Sequence, residues 1–347
     1  MPELAEVEFA RYQFQEYGLE SEIISIKTRN ESNEFDTIVC NECDENELRD
    51  VLKKGNKIVK ANRKGKQLYF DIVAGNGKNK VKSLLVHFGM TGSLVWKDKV
   101  IPDYKSFNID KEWPPRFAKL EISFKNGNIV AYCDPRRLGR IKLRSDPMDE
   151  EPLSQLAPDP SIDGIGDRNK IAQKMGTITS SIKAVLLDQE KLFSGLGNWM
   201  ADEVLYQSSI HPETVTKKIT GQNLTSLLDS IKYVSDTAVA CCLSGKQFPP
   251  SWLFHHRWDR KLTQLPTGEA IKTIKVGGRT SAYVPSIQKL CTTNGKDDDV
   301  KNETKRKKKT EKNDDDDNMK NETIKKRKSE KSNDAHDIDL KKKRTRK

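Results

Sequence analysis

Long apolar runs are missing from this sequence. No stretch approaches the roughly 20 residues that a membrane-crossing helix requires, so no membrane span is expected. Cysteine is sparse, six in 347 residues with no repeating spacing. Together with the lack of a secretory-type leading segment, that argues against a disulfide scaffold and for a reducing compartment. Cys40 and Cys43 have the spacing of half a zinc site, but no second pair accompanies them, so they read as two ordinary thiols. No internal repeat is present. From about Thr292 onward large apolar residues almost vanish, leaving Lys, Asp, Asn and Glu. Such a segment cannot bury enough surface to offset chain entropy, and it is expected to be disordered. An acidic balance is also absent. The net charge is +11 and the pI about 9.1, which makes a polyanion the expected partner, although part of that charge sits in the tail.

What is present divides into blocks. A chain of 347 residues holds two or three domains and can bury a real core. Residues 2–17 read as a helix, with Leu4, Val7 and Phe9 apolar and no breaker before Gly18. From about 20 to 145 the text turns to short β-rich runs with turns such as Asn126-Gly127-Asn128, the pattern of an antiparallel sandwich. Residues 146–160 are rich in Pro and acid and read as a linker. Helical periodicity fills 164–243, and TIKVGGRTSAYV (273–284) reads as a hairpin.

Four stations carry possible chemistry. The first is the opening MPELAEVE. Removal of Met1 would leave Pro2 with a free secondary amine, able to attack an electrophilic sugar carbon and form an imine. A free α-amino group titrates near ~8, so a usable fraction is neutral. Glu3 and Glu6 lie within one helical turn and can share acid–base work there. The same residues also fit an ordinary Pro-initiated helix with acidic residues at its start. The second is NRKGKQLYF (62–70), where Lys66 follows a Gly turn at a strand start. It can hold a phosphate or assist proton transfer, or be a solvated strand end. The third pairs HFGMTGSL (87–94) with DPRRLGR (134–140). Met90 and Arg136 suit the gap left by a base flipped out of a duplex; Met90 in the core and a generic phosphate patch are the alternatives. The fourth is LLDQEKLFSGLGNWMADEVLY (186–206). Backbone N–H groups at a helix start, with the Asn198 amide and Lys183 upstream, can hold a phosphate. A Gly C-cap followed by an Asn N-cap would look the same. Arg279, glycine-flanked at the hairpin tip, is either a phosphate contact or a turn residue.

In this order the pieces MPELAEVE, RKGKQLY, HFGMTGSL, DPRRLGR, LAPDP, GLGNWMADEVLY and VGGRTSAYV resemble the formamidopyrimidine-DNA glycosylase family, which includes the endonuclease VIII type enzymes. The resemblance runs from residue 1 to about 290. It implies an α+β multidomain protein: an N-terminal β-sandwich domain with its leading helix (1–145), a linker (146–160), a helix–two-turn–helix domain (161–245), a β-hairpin finger region (246–291) and the disordered basic tail (292–347). It implies a bifunctional glycosylase and abasic-site lyase that acts on oxidised bases in double-stranded DNA as a monomer, without cofactor or metal. Residue by residue it implies that Pro2 attacks C1′, Glu3 is the general acid toward the sugar ring oxygen, and Glu6 assists proton traffic. Lys66 would hold a phosphate beside the lesion. Met90 and Arg136 would fill the vacated space, and Lys183, Asn198 and Arg279 would clamp phosphates.

Three departures stand out. Bacterial relatives carry a four-cysteine zinc finger where this chain has only Cys291 within 261–291, so four-thiolate zinc coordination is impossible there. The region resembles the zincless-finger variant of plant and fungal members, with Leu262, Ile271, Ile274 and Val276 expected as a replacement core. Leu138 stands where bacterial sequences have a Phe wedge. The segment SGKQFPPSW, between Cys242 and His255, is short where the family's capping loop over the everted base is long. That shortening is expected to weaken recognition of 8-oxoguanine relative to formamidopyrimidines and further-oxidised guanine. The tail runs KRKKK (305–309), KKRK (325–328) and KKKRTRK (341–347) fit nuclear localisation and DNA tethering, or a merely solvated tail. Two other functions compete: a non-catalytic DNA-binding protein on the same fold, and a structural nucleic-acid factor. An intact Pro2, Glu3 and Lys66 favour the enzyme.

Overall fold

The structure, a computed structural model, describes residues 2–28, 34–75, 80–101, 108–109, 112–258 and 263–291. Met1, Leu262 and the whole 292–347 tail, with its basic runs, lie outside the described residues.

Helix α1 (Leu4–Tyr17) opens the fold. Glu6 accepts the Glu3 backbone N–H at 3.0 Å, closing the first turn. Gly18 ends the helix, its N–H donating to Phe14 O at 2.9 Å. Only a glycine fits that end, because a Cβ there would stand 2.7 Å from the Phe14 ring. The helix serves two cores. Leu4 and Ala5 pack into the helical half, while Val7, Ala10 and Phe14 pack into the sandwich.

The sandwich is built from β1 (Ile23–Lys27), β2 (Lys57–Lys64), β3 (Gln67–Val73), β4 (Lys80–His87), β5 (Ser93–Trp96), β6 (Ala118–Phe124), β7 (Ile129–Cys133) and β8 (Arg140–Arg144). They form two four-stranded antiparallel sheets, ordered β1-β6-β7-β5 and β2-β3-β4-β8. Burial alternates along β3, β6 and β8, as a half-buried strand requires. Phe14, Phe70, Trp96 and Phe124 meet between the sheets with ring centroids 4.2–6.0 Å apart. Cys40 and Cys43 are free thiols. Burial pushes them up to about 12 and 11.

One element escaped the sequence reading. Helix α2 (Glu45–Val51) interrupts the β-rich stretch. Its seven residues are too few to show a period, but Asp44 caps it by accepting the Glu47 N–H at 2.9 Å.

The segment 146–160 is more than a tether. It forms a 3-10 turn at Leu153–Gln155, and its backbone pairs with the helical half through Ala157 N–H to Gln189 O and Ser194 N–H to Pro158 O, both 2.9 Å. Asp159 is fully buried. It accepts the Gly65 N–H at 2.9 Å and pairs with Arg63. Arg63 also reaches Glu8 of α1 (2.8 Å), Gly65 O (2.9 Å) and Ser161 Oγ (2.7 Å). One guanidinium thus ties α1, the β2–β3 turn and the strap together.

Helices α3 (Arg168–Gly176), α4 (Ile182–Leu187), α5 (Asn198–Gln207) and α6 (Gly221–Ser244) make the second half. Strands β9 (Lys272–Val276) and β10 (Arg279–Tyr283) pair as the expected hairpin. Gly277 and Gly278 carry positive φ (59° and 74°) at its turn. The core beside the hairpin differs in part from the expected one. Ile271 belongs to it, but its companions are Leu253, Leu265, Ala282 and Val284. Ile274 is half-buried and Val276 buried, and neither joins that cluster. Strand register explains this, since Ile274 and Val276 alternate with Thr273, which sits opposite Ala282, and so lie on the other face of the hairpin. Among the described residues no helix is long and apolar enough to cross a membrane.

Asp159→Ala would leave the buried Arg63 with one carboxylate, Glu8. The expected loss is about 3 kcal/mol of folding stability, read from urea unfolding.

Candidate active site

The start of the chain is completed by residues nearly two hundred positions later. Glu3 is 1% exposed. Its Oε2 accepts the N–H groups of Gly197 (2.8 Å) and Met200 (3.1 Å), and its Oε1 accepts that of Trp199 (2.9 Å). The carboxylate therefore sits on the N-terminus of α5, where unpaired N–H groups converge. Glycine at 197 is obligatory, because a Cβ would stand 2.2 Å from the Glu3 carboxyl carbon. Leu4 N–H adds a bond to Gly195 O at 3.1 Å. This corrects one expectation. The N–H groups read from the sequence as a phosphate cradle at the start of α5 are occupied by Glu3.

Pro2, also buried, precedes this carboxylate directly. Glu6, one turn along α1, accepts from the Trp199 indole N–H at 3.2 Å. Burial, with the charge of Glu3 second, pushes Glu6 up to about 7. Lys66 donates to Leu196 O at 2.7 Å, which places its ammonium at the loop leading into α5. Loss of water around it lowers its proton affinity, against the opposing pull of Glu3 and Glu6. Pro2, Glu3, Glu6 and Lys66 are thus gathered at one place. Two clefts of about 330 and 270 Å³, both walled by Tyr69 and Met148, run along the strap and include none of these four residues.

The void-filling candidates lie on two packed loops. Asp134, fully buried, organises them by accepting from Thr91 Oγ1 (2.7 Å), Gly139 N–H (2.7 Å) and Arg136 N–H (3.2 Å). Burial pushes His87 down to about 4, so its Nδ1 is free to accept the Gly89 N–H at 3.2 Å. The loops press together at Gly89, where a Cβ would strike the Leu138 backbone at 2.4 Å. What remains outward is an exposed Arg136, a 41%-exposed Leu138 and a half-buried Met90, with Arg136 Nη1 3.5 Å from Met90 Sδ. Arg137 faces the other way, onto Asp36 at 2.8 Å.

The phosphate candidates divide. Arg279 is exposed at the hairpin turn. Asn198 turns its amide to Thr280 O at 3.0 Å, leaving its buried Oδ1 without a partner. Lys183 departs from its expected role, because it is fully buried and its ammonium is held by Asp202 Oδ1 (2.5 Å) and Asn198 O (2.7 Å). A lysine read as a surface clamp is here the positive half of an internal ion pair. Asp202 and its other partner, Arg257 (2.7 Å), were not singled out in the sequence. Nor was Trp199, although an aromatic directly after Asn198 was a readable signal. Trp199 carries Glu6 on its edge and Phe248 on its face, with centroids 5.2 Å apart. Phe248 also stacks on Trp252 at 5.3 Å. The short segment after α6 is therefore folded onto aromatic rings. Among the described residues no three His, Cys, Asp or Glu side chains gather as a metal site, and the hairpin lacks the thiolates a zinc finger needs.

Residues 1–141 match the formamidopyrimidine-DNA glycosylase N-terminal domain, and residues 156–248 match the H2TH domain of the same enzymes. The chain belongs to the formamidopyrimidine-DNA glycosylase family. It is 32% identical to the formamidopyrimidine-DNA glycosylase of Arabidopsis thaliana over 292 residues, covering 84% of this chain and 71% of that protein. It is 27% identical to that of Legionella pneumophila (strain Philadelphia 1) over 303 residues, covering 84% of this chain and all of that one. A crystal structure of Lactococcus lactis Fpg with N7-benzyl-Fapy-dG-containing DNA matches with a TM-score of 0.63 at 26% identity, over 83% of this chain and all of that one. The fold is that of the family, and membership makes the protein a DNA-repair glycosylase with abasic-site lyase activity.

Glu6 is protonated below about 7 and anionic above it. An excision rate that depends on ionised Glu6 is expected to rise with pH through that value. Glu6→Gln should flatten the rise; a wild-type inflection that survives the substitution would assign it to another group.

Proposed function

We propose that this glycosylase flips oxidised purines out of duplex DNA and removes them by attack of the Pro2 amine on C1′. The Schiff base that follows acidifies the C2′ proton, and elimination cuts the strand first on the 3′ side and then on the 5′ side. The observation carrying this reading is the convergence of Pro2, Glu3, Glu6 and Lys66 at the start of α5. Glu3, fixed in place by three N–H groups, is assigned the general-acid role toward the sugar ring oxygen. Glu6, pushed to about 7, suits proton traffic near neutral pH. Lys66 holds a phosphate beside the lesion. Met90, Arg136 and Leu138 occupy the space left by the base, Arg136 facing the orphaned partner. The enzyme acts as a monomer.

Borohydride trapping on an oxidised duplex tests the nucleophile. A covalent adduct is expected with the mature chain and should disappear in Pro2→Gly or when the terminus is blocked. An active preparation that retains Met1 contradicts the assignment. Glu3→Gln should slow excision by roughly 100-fold.

The same reading ranks substrates. The segment after α6 is only eight residues long between Ser244 and Leu253 and is pinned by Phe248 on two tryptophans. Formamidopyrimidines and further-oxidised guanine are therefore preferred to 8-oxoguanine. Single-turnover excision should show that gap, and equal rates for 8-oxoguanine and formamidopyrimidine would sink the ranking. We assign the basic runs of the tail to nuclear entry; a fluorescent fusion lacking 292–347 should lose nuclear accumulation, and unchanged accumulation would remove that role.

A further inference from the structure

A bonded path runs from the catalytic carboxylate to the hairpin. Glu3 holds the first N–H groups of α5, and Asp202 lies on the same helix, fully buried. Its Oδ1 accepts from Lys183 Nζ at 2.5 Å. Its Oδ2 accepts from Arg257 Nη2 (2.7 Å), Arg257 Nε (3.1 Å) and the Ala282 N–H (3.2 Å). Ala282 is on β10, three residues beyond Arg279. A parallel strut joins Asn198 Nδ2 to Thr280 O at 3.0 Å. At the turn, a Cβ on Gly277 would stand 3.1 Å from Ala184, so the hairpin also backs onto α4. Arg257 is itself fixed, its guanidinium 4.4 Å above the Trp258 ring.

We infer that Asp202 is a positioning residue which, with Arg257 as its counter-ion, fixes the hairpin so that Arg279 meets the DNA backbone in register with Glu3. The inference rests on the DNA-excision reading above. The chemistry requires a carboxylate. Four donor hydrogens converge on two oxygens, and an amide offers one oxygen while turning an NH₂ toward either a lysine or an arginine. Arginine at 257 is required as well, because a lysine keeps the charge but not the two-pronged contact.

The test is binding of the full chain to a short duplex carrying a tetrahydrofuran abasic analogue, measured across a salt series. Arg279→Ala should weaken binding about tenfold and lower the slope of log K against log salt by about one. Asp202→Asn should do the same, and the double variant should bind no more weakly than Asp202→Asn alone, since the contact is already lost. Thermal midpoints identify a variant that simply fails to fold; in that event Arg257→Lys carries the same cycle. Additive losses in the double variant, or a wild-type salt slope in Asp202→Asn, overturn the inference while the excision reading stands. Absence of any binding or trapping by the wild-type chain removes both.

Discussion

The carboxylate of Glu3 in the mouth of α5 is the interaction on which the rest depends. It brings the first residues of the chain against residues 197–200 through three N–H bonds in a buried setting. A carboxyl group buried here without those donors would carry the full cost of its lost hydration. The fold meets that demand by making α1 belong to both halves, with Leu4 and Ala5 in one core and Val7, Ala10 and Phe14 in the other. The nucleophile candidate inherits its position from this double anchorage rather than from any side chain of its own.

Around that contact the protein uses ion networks to hold loops at fixed distances. Arg63 gathers Glu8, Asp159 and the Gly65 carbonyl, which sets the turn from which Lys66 projects. Asp134 does the same for the two loops that present Met90, Arg136 and Leu138. In each case one buried charged group satisfies several backbone or side-chain partners. That multiplicity makes burial tolerable and the geometry narrow.

Much of this was readable before the structure. The strands of the sandwich, α1 and the Gly277–Gly278 hairpin follow from period and turn residues. The opening MPELAEVE and the loops around Met90 and Arg136 stand out by residue type. What was not readable depends on partners far apart in sequence. Nothing local in GLGN says that its N–H groups serve Glu3, 194 positions away, rather than a phosphate. Lys183 looked like a phosphate clamp because its counter-ion Asp202 lies one helix later and was not singled out. Helix α2 was missed because seven residues give too few turns for a pattern. The hairpin core was half right, since Ile271 was visible as apolar while Ala282 and Val284 emerge only from strand register.

The distance along the chain between Glu3 and its N–H donors has a consequence for synthesis. A ribosome releases the opening residues long before Gly197, Trp199 and Met200 exist. Until those residues emerge, the carboxylate has no donors and the terminal amine no fixed orientation. A nascent or prematurely terminated product therefore lacks this junction, and the opening residues take their folded place only once the message has been read beyond its midpoint.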